Sequence, residues 1–496
     1  MVLRPPGPRT AVFDFTPQLI HTYELVVNRF LPAAPQPLGF SPSPISVLRT
    51  SDLELPGPLP CGLAIAIGLP QAGNMMSMLR FCPALGLALG LALGLAGCAP
   101  RPQATFDVRA FGALGDGHAK DTAAFQKALD ACAAAHGGEV RVPAGDYLLG
   151  SIELKSGVTL RLREGARLRG SPELEDYPIT KVRWEGRWVE GHRALVFARD
   201  ARNIAVVGPG LISGDPALGG RQMPRHPALI EPIDCSDIRL EGFHTEYRRM
   251  WSIHPTGCQN LLARNLTIRS TGGNGDGIDV DSCQQVRIEF CDIDTGDDCI
   301  AIKSGRGMEG YRAAKRTEDV LISHCTLGDS LFACIGIGSE ASGGVRGVRI
   351  EHCKFTHAKS YAIYIKSRVG RGAFIEDISG SDLDVATAPG GFLRVNLLSG
   401  GLQDPEPVPG DEGIPAGRNY RFSEVKVNCG RLVEAVEISP VKPVNGFLLR
   451  NIHGVCTNGI RLANITNAEL RNLEVSGYQG PLLTQTNVQG IGLEQH

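Results

Sequence analysis

Two short segments concentrate the residues able to do chemistry: NGDGIDVDSC over 274–283 and TGDDCIAIKSG over 295–305. Asp276 and Asp297 stand 21 residues apart, and Asp298 follows directly. If the chain repeats with that period as stacked strands, the first two lie one above the other at a strand spacing of ~4.8 Å. Three carboxylates then converge with no hydrophobic reason for any of them. Adjacent carboxylates repel, so one keeps its proton at a pH where an isolated aspartate has lost it. A protonated and an ionised carboxyl side by side are what acid/base-assisted cleavage of a glycosidic bond requires: one protonates the leaving oxygen, the other activates water. Two plainer uses compete. Asp279 or Asp281 is expected to cap a turn at a strand end. Clustered oxygens also suit calcium, but Asp292 and Asp294 do not complete an EF-hand loop, because the place of its glutamate holds Lys303. No metal or cofactor is expected.

The elements that must position these residues repeat. Segments such as DIRLEGFHTE, NLLARNLTIRS, QVRIEFCDIDTG, DVLISHCTLG and GVRIEHCKFTHA alternate apolar and polar residues between Gly, Asp, Asn or Ser. Asn260, Gln285, Asp319 and Gly347 open successive copies at intervals of about 20-odd residues. Short strands at that spacing with almost no helix between them predict an all-β fold, a right-handed parallel β-helix whose coils bury side chains against the coils above and below. A propeller blade would need about twice the repeat. The helix expected at 121–136, capped by Asp121 with Phe125, Ala128, Leu129 and Cys132 on one face and Gly137-Gly138 at its end, is placed to close the N-terminal end of the coil. Residues 106–496 are read as one such domain, and the Gly/Pro-rich stretch from Gly390 to Asn419 as an insertion able to wall one end of a cleft.

The front of the chain reads differently. Residues 1–74 are proline-rich and aperiodic. Met75, Met76 and Met78, then Arg80, then an Ala/Leu/Gly run ending in Leu95-Ala96-Gly97-Cys98 have the parts of a secretory signal at 75–97. The ending looks like a bacterial lipobox, with Cys98 lipidated as the mature N-terminus, 98–105 a linker and 1–74 an extension upstream of the true start. Export to the periplasm or outer membrane is then expected, with membrane contact only through the lipid. A net charge of −2 excludes a dominant basic surface for nucleic acid. The eleven cysteines beyond Cys98 form no CxxC pair, so most are expected in the core.

From about Phe106 to Leu493 the chain resembles glycoside hydrolase family 28, the polygalacturonases and their relatives. FDVRAFGALGDGHAKDTAAFQKALDAC is similar to that family's N-terminal signature, NGDGIDVDSC to its NTDGID-type motif with Gly275 for threonine, and TGDDCIAIKSG to its GDD motif. The resemblance implies that Asp297 is the general acid, that Asp276 and Asp298 hold and deprotonate the water in a single displacement with inversion, and that Asn274 positions the group, with Lys303 just beyond. Two family motifs are altered. Leu331-Phe332-Ala333 stands where the family has Gly-His-Gly, and Tyr364-Ile365-Lys366 where it has Arg-Ile-Lys. The pair that grips a substrate carboxylate is thereby reduced to Lys366 and an aromatic ring. Tyr364 is then expected to stack on a sugar, with Arg368 or Arg371 as a displaced cation or else as plain surface charge. Glu340 and Glu376 either serve the site or end strands. The implied partner is a pectic oligo- or polysaccharide. Other readings are a rhamnogalacturonan or substituted-galacturonan hydrolase, a calcium-dependent pectate-lyase-like eliminase, and a non-catalytic polysaccharide-binding β-helix.

Overall fold

The computed structural model describes residues 104–494. The expected leader, signal and lipidated Cys98 lie outside them. Apart from a hairpin at 179–192, the described strands pair in parallel, each with the strand one coil earlier and one coil later. The chain is a parallel β-helix, wound right-handed as parallel crossovers are.

Three strand faces run the length of the coil. One contains Ser236–Glu241, Gln259–Arg264, Gln284–Glu289, Thr317–Ser323 and Val345–Glu351. The second contains His244–Arg248, Thr267–Thr271 and Asp292–Asp294. The third carries Ile278–Asp281, Ile300–Lys303, Ala333–Ile337, Tyr361–Lys366 and Gly391–Asn396 in axial order. Inward residues such as Ile278, Val280, Ile300, Ile302, Ile335, Ile363, Ile365 and Leu393 are fully buried, each over its counterpart one coil away.

The polar residues that open the copies have a backbone reason. Asp237, Asn260, Gln285, Asp319, Asp377 and Asn419 all take φ between 56 and 59°, and Gly347 takes 69°. That left-handed region is one that Asn, Asp and Gly tolerate best. The ladder skips this residue in every coil: Ser236 pairs with Gln259, then Ile238 with Leu261. Side chains link the skipped positions, as in Asn260 Nδ2 donating to Asp237 Oδ1 at 2.7 Å. Coil length is not constant, however. Gln284 pairs with Gln259 behind it and with Glu318 ahead, across a far longer loop.

The N-terminal helix, α1 (Thr122–Ala134), buries Ala124, Phe125, Ala128, Leu129 and Cys132 against the first coils, on the expected face. Asp121 does not cap it. Its carboxylate turns back to accept from the Leu114 and Gly115 amides at 2.7 and 3.0 Å, holding the preceding turn instead. A second helix, α2 (Gly307–Ala313), was not expected from the sequence: it is two turns long and carries two glycines after its first residue's cap, so no helical period shows. The hairpin Ile179–Trp184 with Arg187–His192 turns on Glu185-Gly186, both at positive φ, the two-residue turn that suits a twisted hairpin. The expected insertion is shorter than its composition suggests, because Gly391–Asn396 alternates as a strand of the third face and only the segment after Asn396 leaves the coil. All eleven cysteines of the described residues are unpaired and buried, several stacked in register, as with the Cys258 amide donating to Cys283 Sγ at 3.3 Å. Among the described residues no helix is long and apolar enough to cross a membrane.

Candidate active site

The carboxylates stand where the chain enters the third face. Asp276 precedes Ile278–Asp281, and Asp297-Asp298 precede Ile300–Lys303. The register corrects the expected stacking. Ile278 pairs with Ile300, and the Gly277 amide donates to the Asp298 carbonyl at 3.1 Å, so Asp276 lies level with Asp298, not with Asp297. Asp297 belongs to a tight turn, and the passage from Asp294 to Ile300 that contains it is three residues shorter than the equivalent passage from Arg269 to Ile278 one coil earlier. Thr295 Oγ1 donates to the Asp297 carbonyl at 2.8 Å to close that turn. Gly296 is needed because a Cβ there would fall 2.3 Å from the Gly272 nitrogen. Even so, the three side chains converge: one oxygen from each of Asp276, Asp297 and Asp298 lies within 4.8 Å of the others.

Each carboxylate is held differently. Asp297 accepts the Asn274 amide at 3.1 Å and the Asp298 amide at 3.0 Å. Asn274 thus acts through its backbone, in the left-handed region at φ 65° where asparagine is well suited. Asp298 accepts the Ala333 amide at 3.1 Å and the Lys366 ammonium at 3.0 Å. Asp276 faces Lys303 at 3.6 Å, and Lys303 is bound more closely to Asp279 at 2.5 Å. Burial, then the charge of Asp298, pushes the Asp297 carboxyl up to about 6. Burial and the neighbouring Asp279 and Asp297 carry Asp276 well above the ordinary range. Burial opposes the charge on Lys303 and Lys366, yet the surrounding aspartates hold both ammoniums charged beyond their usual range. The site therefore pairs proton-retaining carboxyls with two fixed cations.

Asp279 and Asp281 do not cap exposed turns. Both are fully buried. Asp281 binds Arg183 of the hairpin at 3.0 Å and accepts from the Ser282 hydroxyl and the Gly305 amide. Trp184 packs against Trp251 in a tilted pair with ring centroids 4.8 Å apart, and the Lys303 ammonium lies 4.5 Å over the Trp251 ring. Beneath them His254 Nδ1 contacts Glu231 at 3.0 Å, and Glu231 also takes the buried Arg225. This scaffold was not visible in the sequence, because its partners are joined only by coil register.

The expected binding residues divide. Lys366 and Tyr364 point outward from one strand, the Lys366 ammonium 5.5 Å from the Tyr364 ring. Arg371 is buried and fully engaged: Asp404 at 2.8 Å, the Leu402 carbonyl at 2.8 Å and the Ser339 carbonyl take its fork. Asp404 also receives Arg306 at 2.6 Å and Arg187 at 3.4 Å, tying α2, the hairpin and the segment after Asn396 into one fixed flank. Arg368 donates to the Gly401 carbonyl. Glu340 faces Lys303, Arg371 and Lys366, which against its burial keep its carboxylate below the ordinary range. Glu376 lies outside the third face, between Arg346 and Arg418. Phe332 and Leu331 are 52% and 45% exposed, and the peptide after Phe332 supplies the amide that holds Asp298.

The sequence profile of the glycosyl hydrolases family 28 matches residues 132–387. A probable polygalacturonase of Vitis vinifera is 31% identical over 362 residues, covering 69% of this chain and 72% of that protein. The crystal structure of a hyperthermoactive exopolygalacturonase from Thermotoga maritima superimposes with a TM-score of 0.59 at 25% identity, over 83% of this chain and 97% of that one. A family 28 exopolygalacturonase of Yersinia enterocolitica gives 0.66 at 20% identity over 79% of this chain and 78% of that one, a likeness of fold.

Proposed function

The chain belongs to glycosyl hydrolase family 28 and is a glycosidase; we propose that it hydrolyses a pectic polysaccharide or oligosaccharide of the galacturonan type. The observation that carries this reading is the convergence of Asp276, Asp297 and Asp298 beside two ammoniums, with one carboxyl still protonated near pH 6. In this reading Asp297 gives its proton to the glycosidic oxygen as the bond to the anomeric carbon breaks. A water held by Asp276 and Asp298 attacks that carbon and loses its proton to the ionised member of that pair. One bond forms, one breaks and the net change is addition of water, with no intermediate on the protein. The carboxylate oxygens are closer than the ~6.5–9.5 Å between the carboxyl groups of the usual inverting enzymes. Inversion is therefore supported by family membership and not by spacing.

Lys366 supplies a point charge for a uronate carboxylate, and Phe332, Leu331 and Tyr364 supply apolar surface for sugar faces. The Asp404 clamp favours a preformed flank over a mobile one. We place the enzyme outside the cytoplasm, tethered through Cys98, which the intact mass and N-terminal group of the purified protein test. The activity is tested by product analysis on galacturonan, rhamnogalacturonan and oligogalacturonides. New reducing ends on the galacturonan substrates, lost in Asp297→Asn, are expected; products with ultraviolet absorbance would show elimination instead.

A further inference from the structure

The outward side of the third face is covered over part of its length. Phe197, Glu231, His254 and Asp279 form one outward row on successive coils: Phe197 pairs with Glu231, and the bridges from Ile230 to Ile253 and from Ile253 to Ile278 continue the register. All four are at most 3% exposed, so something lies over them, and it is the hairpin at 179–192. Val182, Trp188 and Val189 of the hairpin pack on Phe197 and on Ile233, in an apolar cluster separate from the interior of the coil. The His192 amide donates to the Arg225 carbonyl at 2.7 Å, and the Arg225 fork donates to Glu231 at 2.6 Å and to the Arg183 carbonyl at 3.0 Å. Arg183 then reaches Asp281, on the coil of Asp276, and Trp184 covers Trp251.

The row changes character at the catalytic coils. Asp279 is followed by Ala301 and then Gly336, over which Asp298 lies. Farther along, Tyr364 and Lys366 keep partial exposure, and Leu331 and Phe332 are exposed. The cover itself is fixed. Glu185 in its turn takes Arg306 at 3.1 Å, the Trp188 amide donates to Glu309 of α2 at 3.3 Å, and Arg187 reaches Asp404. Its inner boundary lies close to the carboxylates. The Ser252 amide donates to the Asp276 carbonyl at 3.0 Å, which sets Trp251 level with Asp276 on the preceding coil. One coil spacing is ~4.8 Å, about the length of a single pyranose ring. Trp184, only half-buried, stands over Trp251 at that boundary.

Resting on the galacturonan reading above, we infer that the hairpin and Trp184 close the sugar-binding face one coil before Asp276, so that the enzyme works from a chain end and releases one terminal sugar per cleavage. A polysaccharide cannot continue across coils whose outward side chains are already packed against protein. The terminal ring stops against the indole of Trp184, an amphipathic surface suited to a sugar, and the first linkage is the one that reaches the carboxylates. The rest of the chain extends the other way, past Leu331, Phe332 and Lys366. This assigns Trp184 a specificity role, fixing the position of the bond that is cut.

The test follows product length and viscosity together while the wild type digests galacturonan. The monosaccharide is expected as the sole early product, with reducing ends accumulating before the viscosity falls. Two blocked oligogalacturonates then locate the end: one reduced at its reducing end, the other carrying an unsaturated ring at its non-reducing end. One block should abolish cleavage and the other should not. Trp184→Ala, its fold checked by circular dichroism, should raise KM severalfold and add the disaccharide to the first products. A mixture of oligomer lengths with early loss of viscosity, or cleavage of both blocked substrates at the unblocked rate, would overturn the inference. Wild-type KM and product lengths in a folded Trp184→Ala would do the same; if that variant does not fold, the wild-type products and the blocked substrates decide. If galacturonan is not cleaved, that reading fails by itself, and the same product-length assay on rhamnogalacturonan decides chain-end action separately. Cleavage of neither polymer overturns both.

Discussion

Asp297 provides the sharpest quantitative consequence of the site. Its carboxyl is raised from 3.8 to about 6. Below pH 3.8 both the folded and unfolded chains hold this proton. Between there and pH 6 the unfolded chain releases it while the folded chain does not, so stability falls as pH rises across that window. Above pH 6 the full penalty applies, about 3 kcal/mol at 1.36 kcal/mol per pH decade. Asp297→Asn removes this penalty but converts one acceptor into a donor opposite either the Asn274 or the Asp298 amide, a loss of about 1 kcal/mol. The variant should therefore be more stable than wild type by about 1–2 kcal/mol at pH 8. At pH 4 only the hydrogen-bond loss remains, and it should be slightly less stable. Urea unfolding of both proteins across this range, with matched slopes, reads the difference. A variant that is less stable at every pH by a constant amount would refute the claim that the cluster retains a proton, and with it the assignment of Asp297 as the acid.

The rate should follow the same proton, falling as pH rises above about 6, where Asp297 ionises; a rate that climbs through that range would require another acid. Gly336→Ala should leave the coil intact yet cut kcat by about 10²-fold, because the new Cβ would lie 2.3 Å from Asp298 Oδ2; circular dichroism and steady-state kinetics together check this. Asp404→Ala should destabilise the protein by about 3–5 kcal/mol, since it leaves the fully buried Arg371 without its direct ion-pair partner, and should expose the segment after Asn396 to proteases; Asp404→Asn should cost less, and the urea midpoints of the two variants measure this. Chelators should leave the rate unchanged if the hydrolytic route is correct, and should abolish a calcium-dependent elimination.

Much of the architecture was legible because its signals are local. The alternation of apolar residues and the polar openers at Asn260, Gln285 and Asp319 are properties of single coils, as are the left-handed backbones that demand them. The carboxylate cluster was legible for the same reason, being two short motifs. Its register was not: a spacing of 21 residues suggested that Asp276 lies over Asp297, whereas the pairing of Ile278 with Ile300 puts Asp276 level with Asp298. Cations were the hardest to rank. Arg371 and Lys366 look alike in a string of residues, and only Asp404, 33 positions downstream, removes one of them from the site. The short helix α2 and the hairpin at 179–192 escaped because packing against the flank, more than intrinsic propensity, defines them.

The central claim is that three aspartates hydrolyse the bond in one displacement. The most direct test tracks the anomeric proton of the first-formed reducing end by NMR while wild-type enzyme digests an oligogalacturonate. The expected product has an anomeric configuration opposite to that of the cleaved linkage, appearing before mutarotation and absent with Asp297→Asn. A first product of retained configuration, or an unsaturated end, would contradict it.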